Sequence, residues 1–237
     1  MSLDTRPANA LRKWSIEPAP FGAAAGKVVV RAGRTTILCT ASVEASVPPW
    51  MAGQGKGWIT AEYNMLPGCT SPRKGRDRSG KVDGRTTEIQ RLIGRSLRAI
   101  VDLEKLGERS LTVDCDVLEA DGGTRTASIT GGYVALVQAL RQVEPFASGA
   151  PLPLADSIAA VSVGMCAGRA TLDLDYRQDV AAAVDMNVVM TGGGRYVEVQ
   201  ATGEEATFTP AELDELLALA RGGIAELAEL QRRALST

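Results

Sequence analysis

The segment Asp121-Gly122-Gly123-Thr124-Arg125-Thr126 joins a run of alternating apolar residues to a strongly apolar stretch that begins at Ala127. That pattern reads as a strand, a glycine corner and a helix start. Glycine lets the backbone approach a ligand closely, the first helical N–H groups have no intrahelical partner, and the helix dipole favours negative charge there. With the Thr124 hydroxyl and the Arg125 guanidinium added, the corner has the groups of a phosphate cradle; a plain capped turn is the alternative. Asp83-Gly84-Arg85-Thr86 sets a second arginine beside glycine just before another helix. Two such corners make one anion site only if the fold brings them together. Asp179 and Asp185 flank the short apolar stretch Val180 to Val184. Carboxylates are hard oxygen ligands suited to Mg²⁺, and a metal beside a phosphodiester stabilises charge on a leaving oxygen. Two loop aspartates also serve as turn formers or surface charges.

The 237 residues include no histidine. This removes the Ser-His-Asp and Cys-His arrangements, the imidazole general base and the commonest metal ligand. An enzyme of this composition works with carboxylates and a hard metal, with arginine-rich phosphate chemistry, or with a nucleophile that the substrate brings. The formal net charge of -2 argues against indiscriminate coating of nucleic acid, yet it hides a local bias. From Gly68 to Arg98 nine basic residues (Arg73, Lys74, Arg76, Arg78, Lys81, Arg85, Arg91, Arg95, Arg98) face three acidic ones (Asp77, Asp83, Glu88), a net of +6. Acidic residues near the C-terminus, Glu204, Glu205, Glu212, Asp214, Glu215, Glu226 and Glu229, offset it. Cys39, Cys69, Cys115 and Cys166 form no C-x-x-C pair and are expected to be buried thiols. No apolar run approaches the roughly 20 residues that span a bilayer, and no basic-then-apolar signal segment stands at the N-terminus, so a cytoplasmic location is expected.

The elements that must position these residues follow from periodicity. Lys27 to Arg31 and Thr35 to Val43 read as two strands about Ala32-Gly33-Arg34, and Gly57 to Leu66 as a third. Pro67 to Gly84, rich in Gly, Pro, Ser and basic residues, reads as an exposed, mobile loop. Thr86 to Leu106 has helical spacing closed by Gly107, with Arg91, Arg95 and Arg98 on one face that is either solvated or holds RNA or a neighbouring subunit. Leu111 to Leu118 is a strand and Ala127 to Val143 a helix. Pro145 to Pro153 serves as the midpoint connection. Ser157 to Cys166 with Ala170 to Tyr176, and Met186 to Thr191 with Arg195 to Gln200, read as hairpins, and Pro210 opens a helix towards Leu235 that Gly222-Gly223 could divide. Asp173 and Asp175 alternate with Leu172 and Leu174 and are assigned to the solvated face of a strand. Strands followed by helices in both halves predict an α+β arrangement of sheets packed against helices.

These residues also match a family. Leu38-Cys39-Thr40-Ala41-Ser42-Val43-Glu44, Gly57-Trp58-Ile59-Thr60-Ala61-Glu62-Tyr63, Gly84-Arg85-Thr86 through Glu88-Ile89-Gln90-Arg91-Leu92-Ile93, Asp114-Cys115-Asp116-Val117 with Asp121 to Thr130, and Asp185 to Thr191 closely resemble the bacterial ribonuclease PH family. The resemblance covers nearly the whole chain in order. It implies a phosphate site of Arg85, Gly123, Thr124 and Arg125, a catalytic Mg²⁺ site at Asp179 and Asp185, and RNA contacts from Arg73 and Arg76. It further implies a duplicated ribosomal-protein-like βαβα unit forming one domain over 1–237, whose two pseudo-repeat halves meet near 145–153, and a hexameric ring built from dimers. The implied activity is trimming of the 3′ ends of tRNA precursors and other RNA with inorganic phosphate as co-substrate and nucleophile, reversible towards nucleotide addition. Phosphate as attacking group explains how the reaction dispenses with histidine. The chain departs from the family pattern at Gly68, where arginine is usual, at Thr5 and at Ala201. A catalytically silent RNA-binding ring subunit should lack the arginines or the carboxylate pair, and a two-metal hydrolytic nuclease needs a larger acidic cluster.

Overall fold

Strands β1 (Trp14–Pro18), β2 (Gly26–Ala32) and β3 (Thr35–Glu44) pair antiparallel in succession. The computed structural model of the protein describes residues 6–76, 83–203 and 206–236. Asp4, Thr5, Asp77, Arg78, Lys81, Glu204 and Glu205 lie outside the described residues. Along β3 the alternate residues Ile37, Cys39 and Ala41 are buried while Thr36, Leu38 and Thr40 are less so, as a strand with one covered face requires.

Strand β4 (Trp58–Met65) is followed by the short 3₁₀ turn Pro67–Cys69, helix α1 (Gly84–Arg98), helix α2 (Leu103–Leu106) and strand β5 (Ser110–Glu119). β4 and β5 run parallel, which requires a crossover between them, and α1 supplies it by packing on β4. The first sheet therefore has the order β1-β2-β3-β5-β4. The single helix expected over 86–106 is two. After Arg98 the chain leaves the helix because the Asp102 N–H donates to the Pro153 carbonyl at 2.9 Å and Val101 bridges to Leu154. The Asp102 carboxylate then accepts from the Lys105 N–H and starts α2 afresh. Of the three arginines on one face of α1, Arg95 pairs with Glu198 at 2.7 Å. Arg98 donates to the Ile59 carbonyl at 2.6 Å and lies 4.5 Å over the Trp58 ring. Those two bind within the chain, and Arg91 is exposed.

Helix α3 (Thr124–Leu140) follows β5, and every residue of it except Arg125 and Gln138 is buried. A helix apolar on all sides must lie inside, and α3 packs on β2, β3 and β5 of the first sheet and on β6 of the second. The second half supplies β6 (Ile158–Cys166), β7 (Arg169–Leu172), helix α4 (Tyr176–Ala181), β8 (Val184–Thr191), β9 (Tyr196–Gly203) and helix α5 (Pro210–Ser236). Its sheet has the antiparallel order β7-β6-β8-β9. Ile158 and Ala160 of β6 join the core around α3, whereas Ala159, Val161 and Val163 join a second core under α5. α5 runs unbroken through Gly222-Gly223, and a side chain at Gly223 would press on Leu172.

Two expectations for the stretch before β8 are corrected. The strand drawn from Ala170 to Tyr176 stops at Leu172, and residues 176–181 form α4, which the sequence reading did not anticipate. Asp173 is not on a solvated strand face: its backbone turns into positive φ (54°) and its side chain is fully buried. Asp175 is the N-cap of α4, accepting from the Arg177 and Gln178 N–H groups, while the Gln178 side chain returns to the Asp175 N–H. Of the four cysteines, all free thiols, Cys39, Cys69 and Cys115 are buried as expected and Cys166 is half-buried.

Candidate active site

The glycine corner and the start of α4 are built against each other. Gly122 and Gly123 both have positive φ (82° and 67°). A Cβ on Gly122 would sit 2.6 Å from the Asp175 carbonyl carbon and 2.7 Å from the Tyr176 nitrogen, so only glycine lets the loop nest there. The Tyr176 N–H donates to the Asp121 carbonyl. Thr35 closes the other side: its hydroxyl donates to the Gly122 carbonyl at 2.7 Å and accepts from the Asp121 N–H at 2.9 Å.

Gly123 is the N-cap of α3 and carries no side chain, so no side chain at the cap accepts from the first-turn N–H groups of that helix. Its N-terminal dipole and N–H groups are thus left for a ligand. α1 differs. Arg85, expected just before the helix, lies within its first turn, and the Asp83 carboxylate already accepts from the Thr86 N–H at 2.6 Å. That bond, with the Lys74 ammonium at 2.9 Å second, holds the Asp83 pKa down at about 2. α1 therefore offers the site the Arg85 guanidinium, and α3 offers its helix end.

Arg85, Gly123, Thr124, Arg125, Asp179 and Asp185 all line one cavity of about 670 Å³. The two arginine corners, 40 positions apart in sequence, meet there because α1 and α3 pack side by side. Both guanidinium groups act on the buried Tyr63 phenol, pulling its pKa down against the dominant upward push of burial. The Tyr63 hydroxyl is hydrogen-bonded to the Thr124 hydroxyl at 2.8 Å, which fixes the threonine at the helix start. Arg125 is held by Gln200 of β9 at 2.9 Å and by Glu88 of α1 at 3.6 Å, and only 16% of its side chain is exposed. Asp179 projects from α4 and Asp185 from β8, so the carboxylates come from regular elements rather than the loop expected for them.

Arg73 and Arg76 do not line this cavity. Both are exposed, and Arg76 borders a second hollow with Lys74 and Asp116 that shares Met65 with the first. Tyr63, Glu88, Gln200, Tyr176, Ser162 and Asn187 belong to the site or its support and were not singled out by the sequence reading. Tyr63, Glu88 and Gln200 meet Thr124 and Arg125 of α3 from distant elements, and no local pattern marks them.

Two sheets sharing a buried helix, with a cavity lined by two arginines and two aspartates, define an α+β fold that gathers basic and acidic groups in one place. The solved rice (Oryza sativa) Rrp46 has this fold at a TM-score of 0.78, with 17% identity over 98% of this chain and 99% of that one. An Archaeoglobus fulgidus exosome structure with RNA bound to the active site matches at 0.76, with 23% identity over 96% and 91%. The family models describing domains 1 and 2 of the 3′ exoribonuclease family match residues 10–142 and 156–223. The chain belongs to the 3′ exoribonuclease family. The ribonuclease PH of Rhodopirellula baltica is 62% identical over 98% of this chain and 96% of its own length, and that of Listeria monocytogenes is 53% identical over 99% and 96%.

Proposed function

We infer that the chain is a phosphorolytic 3′-to-5′ exoribonuclease that uses inorganic phosphate to release 3′-terminal nucleotides of RNA as nucleoside diphosphates. The observation that carries this reading is the meeting of Arg85, Arg125 and the uncapped first turn of α3 in one cavity with Asp179 and Asp185. In this reading phosphate is gripped by both guanidinium groups, the Thr124 hydroxyl and the α3 N–H groups beside Gly123. Held there it is oriented for in-line attack on the terminal phosphodiester. A new P–O bond forms to the attacking oxygen and the bond to the penultimate ribose O3′ breaks. The proton that hydrogenphosphate brings balances the leaving 3′ oxygen. By reversibility the same groups add nucleotides from diphosphates.

Asp179 and Asp185 fit Mg²⁺ chemically: Mg²⁺ is commonly held by one or two carboxylates, with substrate phosphate and water completing its shell. A bound Mg²⁺ supplies neutralisation of charge at the scissile phosphate and leaving oxygen. The two side chains themselves add negative charge to the cavity that the arginines line, which favours an arriving phosphate beside the guanidinium groups. We further propose tRNA precursors as substrate, consistent with relatives that bear the name ribonuclease PH, and Arg73 and Arg76 as contacts for RNA outside the cavity. One domain of two pseudo-repeat halves, joined near 145–153, is supported by α3 packing on both sheets. A homohexameric ring of dimers and a cytoplasmic location complete the proposal; no helix among the described residues is long and apolar enough to cross a membrane.

RNA with a labelled 5′ end, incubated with and without phosphate, tests the reading. Phosphate-dependent shortening with release of nucleoside diphosphates is expected. Equal shortening in phosphate-free buffer, with monophosphates released, overturns it.

A further inference from the structure

The charged groups of the cavity are assigned to phosphate and phosphodiester, and the nucleobase is still to be placed. On the side formed by α4, Tyr176 and Val180 line the same cavity as the arginines and the carboxylates. They are 60% and 69% exposed, and they stand four positions apart on the helix, so they share one face. None of α4 is buried, yet the helix is firmly set. Its capping box closes the first turn, the Arg6 guanidinium donates to the Gln178 side chain at 3.0 Å, and the Tyr176 backbone is tied to Asp121. Apolar side chains this exposed on a rigid ridge, beside the charged groups of the cavity, contribute little to the core. Met65 and Pro72 bring further apolar surface to the cavity from the other half of the chain.

We propose that Tyr176, backed by Val180, is the packing wall for the nucleobase at the RNA 3′ end, and for the base of the nucleoside diphosphate product. This rests on the phosphorolytic reading of the site. An aromatic face suits the task because stacking accepts any of the four bases, as an exonuclease that removes successive nucleotides requires. The ring is anchored through its backbone to the Gly122 corner, so the base is registered against the phosphate site.

The test measures binding of ADP and of inorganic phosphate to the full chain by calorimetry, for the wild type, Tyr176→Ala, Tyr176→Phe and Val180→Ala. Expected is an ADP affinity about tenfold weaker in Tyr176→Ala, a few-fold weaker in Val180→Ala and kept in Tyr176→Phe, with phosphate affinity unchanged throughout. In turnover assays the KM for RNA should rise in Tyr176→Ala while the KM for phosphate holds. Unchanged ADP affinity in Tyr176→Ala overturns the inference, as does a change confined to oligomeric state, which would make the ridge a protein contact. A wild type that shortens RNA without phosphate defeats the functional reading instead, and ADP binding still judges the wall by itself. Because Tyr176 lies outside the core and its helix is capped by Asp175 and Gln178, the variants should fold.

Discussion

Arg12 and Asp173 form an ion pair at 2.7 Å with side chains 6% and 0% exposed, joining the segment before β1 to the turn before α4. The pair is fully engaged on the aspartate side: Oδ2 accepts from the Arg12 N–H and from Trp14 Nε1. The guanidinium also donates to the Asp121 carbonyl at 2.7 Å, so the same bond network braces the glycine corner. Removing one partner of a buried pair leaves an uncompensated charge, at a cost of about 3–5 kcal/mol. Asp173→Ala should lower the urea midpoint accordingly. The double variant Arg12→Met, Asp173→Leu should lose less than the sum of the singles in a double-mutant cycle.

Tyr63→Phe removes the hydroxyl that fixes Thr124. The buried threonine oxygen loses its partner, at a cost of about 1 kcal/mol, and the KM for phosphate should rise several-fold while the KM for RNA stays constant. A thermal melt and two KM measurements check both parts.

Arg85→Ala and Arg125→Ala each delete charged hydrogen bonds worth roughly 1.5–3 kcal/mol, or about 10- to 150-fold. The phosphate requirement should rise and turnover fall, with RNA binding in a gel-shift assay largely intact. A selective loss of RNA binding would contradict the assignment. Gln200→Ala, which only frees Arg125 from one partner, should have a smaller effect in the same assays.

Asp185→Asn keeps the shape of β8 and removes a charge. Metal-dependent turnover should be lost with an unchanged circular dichroism spectrum and melting temperature, and retained activity would remove Asp185 from the mechanism.

Acidification should loosen the start of α1. The Asp83 pKa is depressed on folding from 3.8 to about 2, so its stabilising contribution is present above 3.8 and is lost as the pH falls towards 2. Asn caps helices without titrating. In Asp83→Asn the loss of stability between those two values should therefore shrink, as measured by denaturant midpoints at matched ionic strength.

Hairpins and the glycine corner were legible because their signals are local. Gly33, Gly168 and Gly194 sit at turns that demand positive φ, and the strongly apolar run after Thr126 reads as the helix that α3 is. Arg85, Arg125, Asp179 and Asp185 were legible through residue type and family resemblance, and the cavity brings them together. Asp173 differs from expectation because alternation with Leu172 and Leu174 looks like a strand until the backbone leaves it, and its partners Arg12 and Trp14 are about 160 positions away. α4 leaves little trace in the sequence because six residues carry little periodicity and its capping box, Asp175 with Gln178, lacks the usual apolar run behind it. Support from Gln200 on β9 and from Glu88 on α1 is set by how those elements pack against α3, which no local spacing encodes.

With α3 sandwiched between the sheets, the two arginines and the acid pair are carried by different halves of the polypeptide and meet in the cavity those halves share. A protease nick in the 145–153 connection would therefore put guanidinium groups on one fragment and carboxylates on the other. Catalysis would then persist only for as long as the fragments clasp the same helix.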